Sequence, residues 1–451
     1  MLTHTHRYDA VLASLQAAGR LPSITAAVAR GGEVEWRGSV SVDPSGLSDS
    51  PGVRSAYRIG SITKTLTAVL VLQLRDAGRL ALDDPIGDLV PCGDYGSATV
   101  RELLSHTSGM QSEPSGPWWE RIDGGSLDDL LAANPGAGRV AGPGEFYHYS
   151  NLGFALLGAA VSRLHDVPWW EVVQQRILVP LGMTHTTYLP PADHARGSSV
   201  DHFAHTLVRE PHADTGAMAP AGQLWSTVDD LLRWADFLAV GHPELVPATT
   251  LEEMAAPSFG GGEGPAGAGE SYGLGLRRVR VDGRTLVGHT GSMPGFLASL
   301  FVDRETRDAV VALANATTGL ATDQVPAALL TDALPAVPEA VAVPWRPSTS
   351  PVPAAVADVL GVWFWGNTGF GFEWADQTLV GRDLRTGEIE ERFRLADGVF
   401  VGIDGYHRGE MLRLVRHADG TASHLECATF VWTRSPYDPR APIPGGPPSA
   451  T

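Results

Sequence analysis

A proline-rich segment divides this chain into two parts of unequal length. Residues 335–353 contain six prolines among nineteen residues, a composition typical of a semi-rigid linker. The chain of 451 residues is also too long for one ordinary hydrophobic core. We therefore predict a large domain at 1–334, a linker at 335–353, a small domain at 354–440 and a disordered tail at 441–451.

Residues 1–334 carry strand patterns at both ends and helical patterns between them. Strand patterns fall at 24–42, with a turn at Gly31-Gly32, and at 285–314, with a turn at 303–308, whereas helical patterns include 7–19, 61–77 and 321–334. Strands that come from both ends of one segment predict an antiparallel sheet with helices on its faces and a helical insert. The predicted fold class is α/β.

Beyond the linker, short apolar runs alternate with turns. Segments such as VWFWGNTGFGFEW, QTLVGRDL and MLRLVRH have strand character and are separated by turns that contain Gly and Asp. Regular spacing of this kind predicts a small all-β domain, either a barrel or a meander.

Composition narrows the possible partners and the location. The formal net charge of −18 argues against a nucleic-acid partner, because binding a phosphate backbone needs clustered Lys and Arg. Cys92 and Cys427 stand far apart and without metal-ligand spacing, so we expect no disulfide framework, no metal and no cofactor. The first residues lack the apolar run of a signal peptide, and no later stretch has the length of a membrane span. We expect a cytoplasmic protein without a membrane partner.

One lysine stands out in the composition. Of the 33 Lys and Arg residues, 32 are arginines, and Lys64 is the only lysine. Arginine stays charged, whereas a buried lysine can lose its proton near neutral pH and act as a base. Lys64 follows Ser61 by three residues at the start of an apolar helix, so one helical turn places both side chains on one face. This pattern predicts a serine nucleophile beside its base; an N-cap serine and a solvated lysine are the plainer alternative.

Two further motifs offer the remaining groups of such a site. Tyr149-x-Asn151 precedes a helical pattern and can present a phenol and an amide, with an N-cap and a packed tyrosine as the alternative. His289-Thr290-Gly291 lies at a strand edge and combines a titratable imidazole, a small hydroxyl and a glycine that permits close backbone approach. We predict that both motifs face the nucleophile.

Together, these three motifs resemble those of the serine β-lactamase and penicillin-binding-protein superfamily. The resemblance covers residues 10–334 and includes three more segments: LLSHTSGM at 103–110, ILVPLGMTHT at 177–186 and AGQLWSTVDDLLRWADFL at 221–238. His106 lies in the first of these segments, which is structural in this family, so we do not expect it to be catalytic.

Two departures from the superfamily pattern refine the resemblance. Tyr149-x-Asn151 stands where other branches have Ser-Asp-Asn, and His289 replaces the lysine of Lys-Thr-Gly, as in class C-like esterases, D-amino-acid-specific peptidases and related acyltransferases. The missing second lysine removes a fixed cation for a substrate carboxylate, which argues against efficient β-lactam hydrolysis. His289 is suited instead to shuttling a proton or steadying the intermediate.

The resemblance implies a covalent mechanism. Lys64 and Tyr149 accept the proton of Ser61, which attacks an acyl carbonyl to form an acyl-enzyme. The backbone N–H groups of Ser61 and Ser292 form the oxyanion hole. The implied substrate-binding residues are Asn151, which orients the acyl chain, Thr290 and Gly291.

The second domain carries a resemblance of its own. WFWGN and FVWTRSPYDP are similar to the lipocalin-like domain of some D-aminopeptidase-like enzymes and of stand-alone penicillin-binding-protein-type thioesterases, which release nonribosomal peptides by cyclisation. Arg434, between Trp432 and Tyr437, is expected to hold a substrate carboxyl or carbonyl group, with an ordinary surface pair as the alternative.

We therefore expect a serine acyl-transfer enzyme. Its expected substrate is a peptidyl thioester with a D-residue at the acyl-donor end, delivered by the carrier domain of a nonribosomal peptide synthetase and released by head-to-tail macrolactamisation or hydrolysis. An intracellular D-aminopeptidase and a carboxylesterase use the same residues and remain alternatives. A catalytically silent module that binds a peptide or lipid is the alternative from another class.

Overall fold

The computed structural model describes residues 4–42, 51–260, 271–331 and 342–437, which form two compact units. The first unit contains most of the chain before the linker. The second contains the residues from Pro347 onward, joined by the segment Val200–Val208. Part of the predicted linker, at 335–341, and the predicted tail at 441–451 lie outside the described residues.

The first unit has α-helices between its two strand-forming ends and one beyond each end. They are α1 (His4–Gly19), α2 (Thr63–Asp76), α3 (Ile86–Leu89), α4 (Val100–Leu104), α5 (Leu127–Ala133), α6 (Asn151–His165), α7 (Trp169–Val173), α8 (Val179–Leu181), α9 (Ala219–Gly222), α10 (Val228–Val240), α11 (Ala248–Ala255) and α12 (Val325–Leu329). Of the helix predicted at 321–334, only Val325–Leu329 is helical among the described residues, and 332–334 lie outside them. Helix α12 begins beside Pro326, which suits a first helical turn, and a hydrogen-bonded turn precedes it.

The strands of the chain before the linker are β1 (Ser23–Arg30), β2 (Glu33–Ser41), β3 (Tyr57–Arg58), β4 (Ser198–Asp201), β5 (Thr206–Arg209), β6 (Trp225–Ser226), β7 (Phe259–Gly260), β8 (Ser271–Tyr272), β9 (Arg277–Val281), β10 (Arg284–Met293), β11 (Phe296–Asp303) and β12 (Ala309–Ala314). Eight of them form one sheet in the order β2-β1-β12-β11-β10-β9-β8-β7 within the described residues. The N-terminal strand β1 pairs antiparallel with β12, with Ile24 opposite Ala314. The predicted antiparallel sheet, assembled from both ends of the segment, is confirmed.

The core of the first unit lies where helices cover the central strands. Every residue of β11 and β12 is buried, and α10 packs on both strands. Helix α2 is buried continuously from Thr63 to Leu72, because other helices surround it. Its side chains, including the single lysine, therefore sit in a water-poor interior. Among the described residues, no helix combines the length and apolar character of a membrane-spanning segment.

The second unit is an all-β barrel preceded by the short helix α13 (Ala354–Ala357). Its strands are β13 (Gly361–Trp365), β14 (Thr368–Ala375), β15 (Thr378–Asp383), β16 (Ile389–Ala396), β17 (Val399–Gly405), β18 (Met411–Arg416), β19 (Ala422–Cys427) and β20 (Phe430–Thr433). They close into a barrel in sequence order, and β13 pairs with β20. Aromatic and aliphatic side chains such as Trp363, Phe372 and Leu425 form its core. The predicted all-β domain is confirmed as a closed barrel.

Candidate active site

Ser61 is held in a one-turn 3-10 helix between β3 and α2. This turn begins at Gly60 and packs against β10. Gly60 has a φ of +52°, and a Cβ there would lie 2.6 Å from the backbone nitrogen of Ser292, so only glycine fits. Gly291 permits the same close approach, since a Cβ there would lie 2.0 Å from the carbonyl oxygen of the residue before Gly60. The two glycines bring the serine turn against the strand that carries Ser292.

Lys64 is the buried partner of Ser61. Its Nζ lies 3.0 Å from Oγ of Ser61 and donates to the carbonyl oxygen of Ala221 on α9 at 2.6 Å. Burial lowers the pKa of Lys64 to about 7, although the carboxylates of Glu113 and Glu120 oppose this shift. A large fraction of the amine is therefore neutral at neutral pH and able to take the proton of Ser61. The structure brings Ser61 and Lys64 together as the sequence predicts, and their roles as nucleophile and base stay predictions.

Tyr149 is the second side chain that reaches Ser61. Burial raises the pKa of Tyr149, and a hydrogen bond with Ser61 opposes that rise. The centre of its ring lies 5.0 Å from Nζ of Lys64. Because the phenol keeps its proton at neutral pH, it is placed to relay a proton rather than to remove one alone.

Asn151 follows Tyr149 into the first turn of α6. Ser150 caps this helix, accepting a hydrogen bond from the backbone of Gly153 at 3.0 Å. Nδ2 of Asn151 donates to Oε1 of Glu113 at 2.6 Å, and because a carboxylate only accepts, this contact fixes the amide orientation. Oδ1 of Asn151 is buried without a hydrogen-bond partner among the described residues. The role of Asn151 in orienting an acyl chain stays a prediction.

His289 is buried on β10, with its ring centre 6.2 Å from that of Tyr149. Its Nδ1 is 2.5 Å from the carbonyl oxygen of Thr290, so Nδ1 carries the hydrogen, and Nε2 accepts from the hydroxyl of Tyr272 at 3.0 Å. Burial lowers the pKa of His289 well below its ordinary value, which keeps the ring neutral. Both ring nitrogens are engaged away from Ser61, and a proton-shuttling role for His289 stays a prediction. Tyr272, which pairs with the remaining ring nitrogen, carries no signal in the sequence.

The side chain of Thr290 is hydrogen-bonded to a cation that the sequence does not predict. A guanidinium nitrogen of Arg277, on β9, donates to Oγ1 of Thr290 at 2.7 Å. The motif itself has no lysine, as the sequence shows, but the structure places the guanidinium of Arg277, from the neighbouring strand, beside it. The expectation that a fixed cation for a substrate carboxylate is missing stays a prediction. Arg277 is visible in the sequence only as one arginine among 32. Its position depends on the register that places it opposite Gly288.

Among the described residues, the end of β10 beside Ser61 has a pairing partner on one side only. Pairing between β9 and β10 ends at Gly288, whereas pairing between β10 and β11 continues to Met293. Ser292 is exposed in this stretch and lies next to the serine turn. The structure thus brings together the two residues whose backbone N–H groups are predicted to form the oxyanion hole, a role that stays a prediction.

His106 holds the tyrosine segment in place. Its Nδ1 accepts from the backbone N–H of Ser150 at 3.0 Å. Its carbonyl oxygen accepts from the backbone N–H of His148 at 2.7 Å. The ring packs against Tyr149, with 4.2 Å between centroids. Burial lowers the pKa of His106 well below its ordinary value, so the ring is neutral. These contacts give it the structural role expected for the SHTSG segment.

Arg434 is engaged within the barrel unit. Its guanidinium carbon lies 3.7 Å from the centre of the Trp363 ring, and its nitrogens donate to the carbonyl oxygens of Asp358, Leu360 and Val362. These contacts match neither a free cation nor the ordinary ion pair considered from the sequence, because the partners are an aromatic face and the backbone. A role in substrate binding stays a prediction.

Comparison with known proteins places this site in a family. The family model described as Beta-lactamase matches residues 8–334, and that of a domain of unknown function, DUF7586, matches residues 352–434. Beta-lactamase-like protein 2 of Dictyostelium discoideum is 29% identical over 257 residues, which are 52% of this chain and 46% of that protein. The chain spans about half the length of the first curated relatives it matches, 46% and 53%.

Two solved structures are similar to this chain over different extents. A D-stereospecific amidohydrolase from Streptomyces sp. is 28% identical, with a TM-score of 0.60, over 70% of this chain and 97% of its own. SurE, solved with D-Leu, is 26% identical, with a TM-score of 0.56, over 95% of this chain and 99% of its own. The resemblance stated from the motifs is confirmed: the chain belongs to the Beta-lactamase family, has its serine acyl-transfer fold, and carries a closed all-β barrel after it.

Proposed function

We propose that this protein is a serine acyl-transfer enzyme that releases a peptidyl chain, with a D-residue at its acyl-donor end, from a thioester. Ser61 is the nucleophile and Lys64 is the base. The observation that carries the proposal is the buried amine of Lys64, 3.0 Å from Oγ of Ser61 and with its pKa lowered to about 7. The donor is the thioester on a carrier domain of a nonribosomal peptide synthetase, and the product is a cyclic or a free peptide.

The chemistry proceeds in two steps. In the first, Oγ of Ser61 attacks the thioester carbonyl while its proton passes to Lys64, and the oxyanion faces the backbone N–H groups of Ser61 and Ser292. The carbon–sulfur bond then breaks, and the sulfur takes a proton relayed by Tyr149. In the second step the amine of the same peptide attacks the ester and loses a proton to Lys64. Oγ leaves with a proton, and an amide results; water in place of the amine gives the acid.

Two similarities support the substrate class. SurE was solved with D-Leu, and the Streptomyces relative is named as D-stereospecific; each is more than 25% identical to this chain. The similarity to SurE extends over 95% of this chain, which takes in the barrel as well as the catalytic domain. The unpartnered Oδ1 of Asn151 suits an acyl chain that carries a peptide N–H group.

Hydrolysis of D-amino-acid amides is a second candidate, and a charge near the nucleophile favours it. The carboxylates of Glu113 and Glu120 both act on the pKa of Lys64, and Glu113 also binds the amide of Asn151. Carboxylates in this position suit the ammonium group of a free amino acid amide. The same charges attract the amine of a peptide that cyclises, so product analysis has to separate the two functions.

Intact-protein mass spectrometry tests the proposal. Wild type, Ser61→Ala and the matched control Ser14→Ala, on the exposed face of α1, are mixed with a peptidyl thioester that ends in a D-residue, and with its L-epimer. We expect acylation or cyclic peptide from the D-substrate in wild type and Ser14→Ala, and neither in Ser61→Ala.

Other results select the alternatives. Turnover of D-amino-acid amides to free acids, without any thioester acylation, supports the amidohydrolase. Turnover of p-nitrophenyl esters alone through Ser61 supports a carboxylesterase. A folded wild type whose Ser61 fails to react with a fluorophosphonate overturns the enzyme assignment and supports a silent binding module.

A further inference from the structure

A cluster of three possible metal ligands lies in the barrel, on the connection from β17 to β18 and at the end of β19. A ring nitrogen of His407, a carboxylate oxygen of Glu410 and Sγ of Cys427 all lie within 4.8 Å of one another. His407 and Cys427 are buried, whereas Glu410 is exposed. The residues come together because β18 pairs with β19, which sets Leu412 opposite Cys427.

The connection that carries His407 and Glu410 is held by its own backbone. The N–H of Glu410 donates to the carbonyl oxygen of His407 at 3.0 Å, and Gly402 exchanges two hydrogen bonds with residues 409 and 410. A Cβ on Gly402 would lie 2.0 Å from the carbonyl oxygen of His407, so a larger residue would displace this turn. The relative positions of the two side chains are therefore set by the fold.

His407 has one ring nitrogen engaged and one left over. Nδ1 lies 2.9 Å from Oε1 of Glu391, and since a carboxylate only accepts, Nδ1 carries the hydrogen. Nε2 is buried without a hydrogen-bond partner among the described residues, and in the neutral ring it carries a lone pair. His407 is only 2% exposed, so water does not readily satisfy this nitrogen. Leaving such an acceptor unpaired costs about 1–3 kcal/mol.

The pairing of Glu391 with His407 is the arrangement that orients a metal-binding histidine. A carboxylate on one ring nitrogen fixes the tautomer and the ring direction, and raises the basicity of the other nitrogen. Glu391 is itself buried, and its other oxygen accepts from the backbone N–H of His407 at 3.4 Å. Glu391 is thus a positioning residue, and the nitrogen it leaves available is Nε2.

We propose that the barrel binds a zinc ion through Nε2 of His407, Sγ of Cys427 and a carboxylate oxygen of Glu410. Imidazole, thiolate and carboxylate together suit zinc, whereas calcium and magnesium select oxygen donors alone. Binding replaces the proton of the Cys427 thiol with the metal and releases that proton to solvent. Donors around tetrahedral zinc stand about 3.5 Å apart, so the exposed side chain of Glu410 closes the remaining distance. A water molecule completes the coordination.

A metal site in the barrel would contradict the expectation of no metal, which rested on the spacing of the cysteines. The ligands are three and seventeen positions apart along the chain, a spacing that matches no common zinc motif. Only the closed barrel brings them together. A zinc ion there joins the β17–β18 connection to β19 and is expected to stabilise the barrel, without any part in the chemistry at Ser61.

Cobalt binding to the full-length chain, freed of metal with a chelator, tests the site. Cobalt(II) gives a sulfur-to-metal charge-transfer absorption when a thiolate binds it, so the spectrum reports Cys427 directly. We expect this band in wild type with one cobalt per chain, its displacement by zinc, and a barrel that melts at higher temperature with zinc. Cys92→Ser is the matched control, because Cys92 is the other buried cysteine and lies in the first unit; it keeps the band.

Substitutions of the proposed ligands distinguish a loss of metal binding from a loss of folding. Cys427→Ser is expected to lose the band. Glu410→Gln changes an exposed side chain, so the barrel keeps its circular dichroism spectrum while zinc affinity falls at least tenfold. Glu391→Gln is expected to weaken binding about 10- to 100-fold. Absence of the thiolate–cobalt band in folded wild type, or unchanged zinc affinity in Glu410→Gln and Cys427→Ser, overturns the proposal.

Discussion

The catalytic unit and the barrel each bury a histidine against one polar side chain, and the two partners differ. The hydroxyl of Tyr272 donates to Nε2 of His289 while Nδ1–H meets a carbonyl oxygen, so both nitrogens are engaged. In the barrel, Nδ1–H of His407 meets Glu391, and Nε2 is left without a partner among the described residues. In the catalytic unit, the hydroxyl of Tyr272 pairs with the second ring nitrogen of His289. In the barrel, the carboxylate of Glu391 orients the ring of His407, and Nε2 is left for a ligand.

One cation from each unit, Lys64 and Arg434, can be compared in the same way. Lys64 is wholly buried and its pKa is lowered to about 7, so burial changes its chemistry. Arg434 lies on the Trp363 ring with three carbonyl acceptors, so its environment accommodates the charge. Burial lowers the pKa of the amine in the catalytic unit, whereas the exposed guanidinium in the barrel has its donors paired with backbone carbonyl oxygens.

The largest expected effect comes from Lys64→Arg. Arginine keeps the positive charge but cannot accept a proton at neutral pH, so acylation of Ser61 is expected to fall about 10³-fold. Stopped-flow measurement of p-nitrophenyl ester turnover checks this, with circular dichroism as the control for folding. A variant that acylates at the wild-type rate would show that Lys64 acts only through its charge.

The pH dependence of stability separates wild type from Lys64→Met. Between pH about 7 and the ordinary lysine value of 10.5, the unfolded chain holds a proton on Lys64 that the folded chain lacks. Unfolding then takes up a proton, so the free energy of unfolding of wild type gains about 1.4 kcal/mol per pH unit relative to the variant. Thermal melting of the catalytic unit from pH 7 to 10 measures the difference. Parallel curves for the two proteins would contradict a lowered pKa.

A smaller effect is expected from Tyr272→Phe. The change removes the O–H group that donates to Nε2 of His289, and an unpaired buried acceptor costs about 1–3 kcal/mol of stability. In wild type, ¹⁵N NMR of the histidines should show His289 as the neutral Nδ1–H tautomer from pH 6 to 8. Protonation of His289 in that range, or an Nε2–H tautomer, would remove the contrast with His407.

The smallest expected effect on catalysis comes from Arg434→Met. The variant loses hydrogen bonds to three carbonyl groups and the contact with Trp363, so the barrel should lose about 1–2 kcal/mol of stability. Arg413→Met, at an exposed position on β18, is the matched control. We expect kcat/KM at Ser61 to be unchanged. A raised KM with normal barrel stability would instead support the substrate role predicted from the sequence.

Features carried by local spacing were predictable from the sequence. Ser61 and Lys64 are one helical turn apart, and the absence of any other lysine predicts a base at Lys64 from the sequence alone. The strands that flank the helical insert follow from alternation and turn residues. The helix predicted at 321–334 shows the limit of such patterns, because apolar residues there continue beyond the single turn that α12 forms.

Features carried by pairing between distant strands were not predictable. Arg277 meets Thr290 only because β9 and β10 pair with Arg277 opposite Gly288. Tyr272 reaches His289 from β8, two strands away in the sheet. Cys427 meets His407 only after β18 and β19 pair in the closed barrel. The pairing register of these strands cannot be read from a single sequence, so these contacts could not be predicted.

The pH dependence of Ser61 acylation tests the central claim most directly. Pre-steady-state bursts with a p-nitrophenyl ester, measured from pH about 5 to 10, give the acylation rate constant in wild type. Because the neutral amine of Lys64 is the base and its pKa is lowered to about 7, the rate constant should rise with pH and level off above that value. A rate constant that is flat with pH, or that keeps rising towards the ordinary lysine pKa of 10.5, would contradict the account.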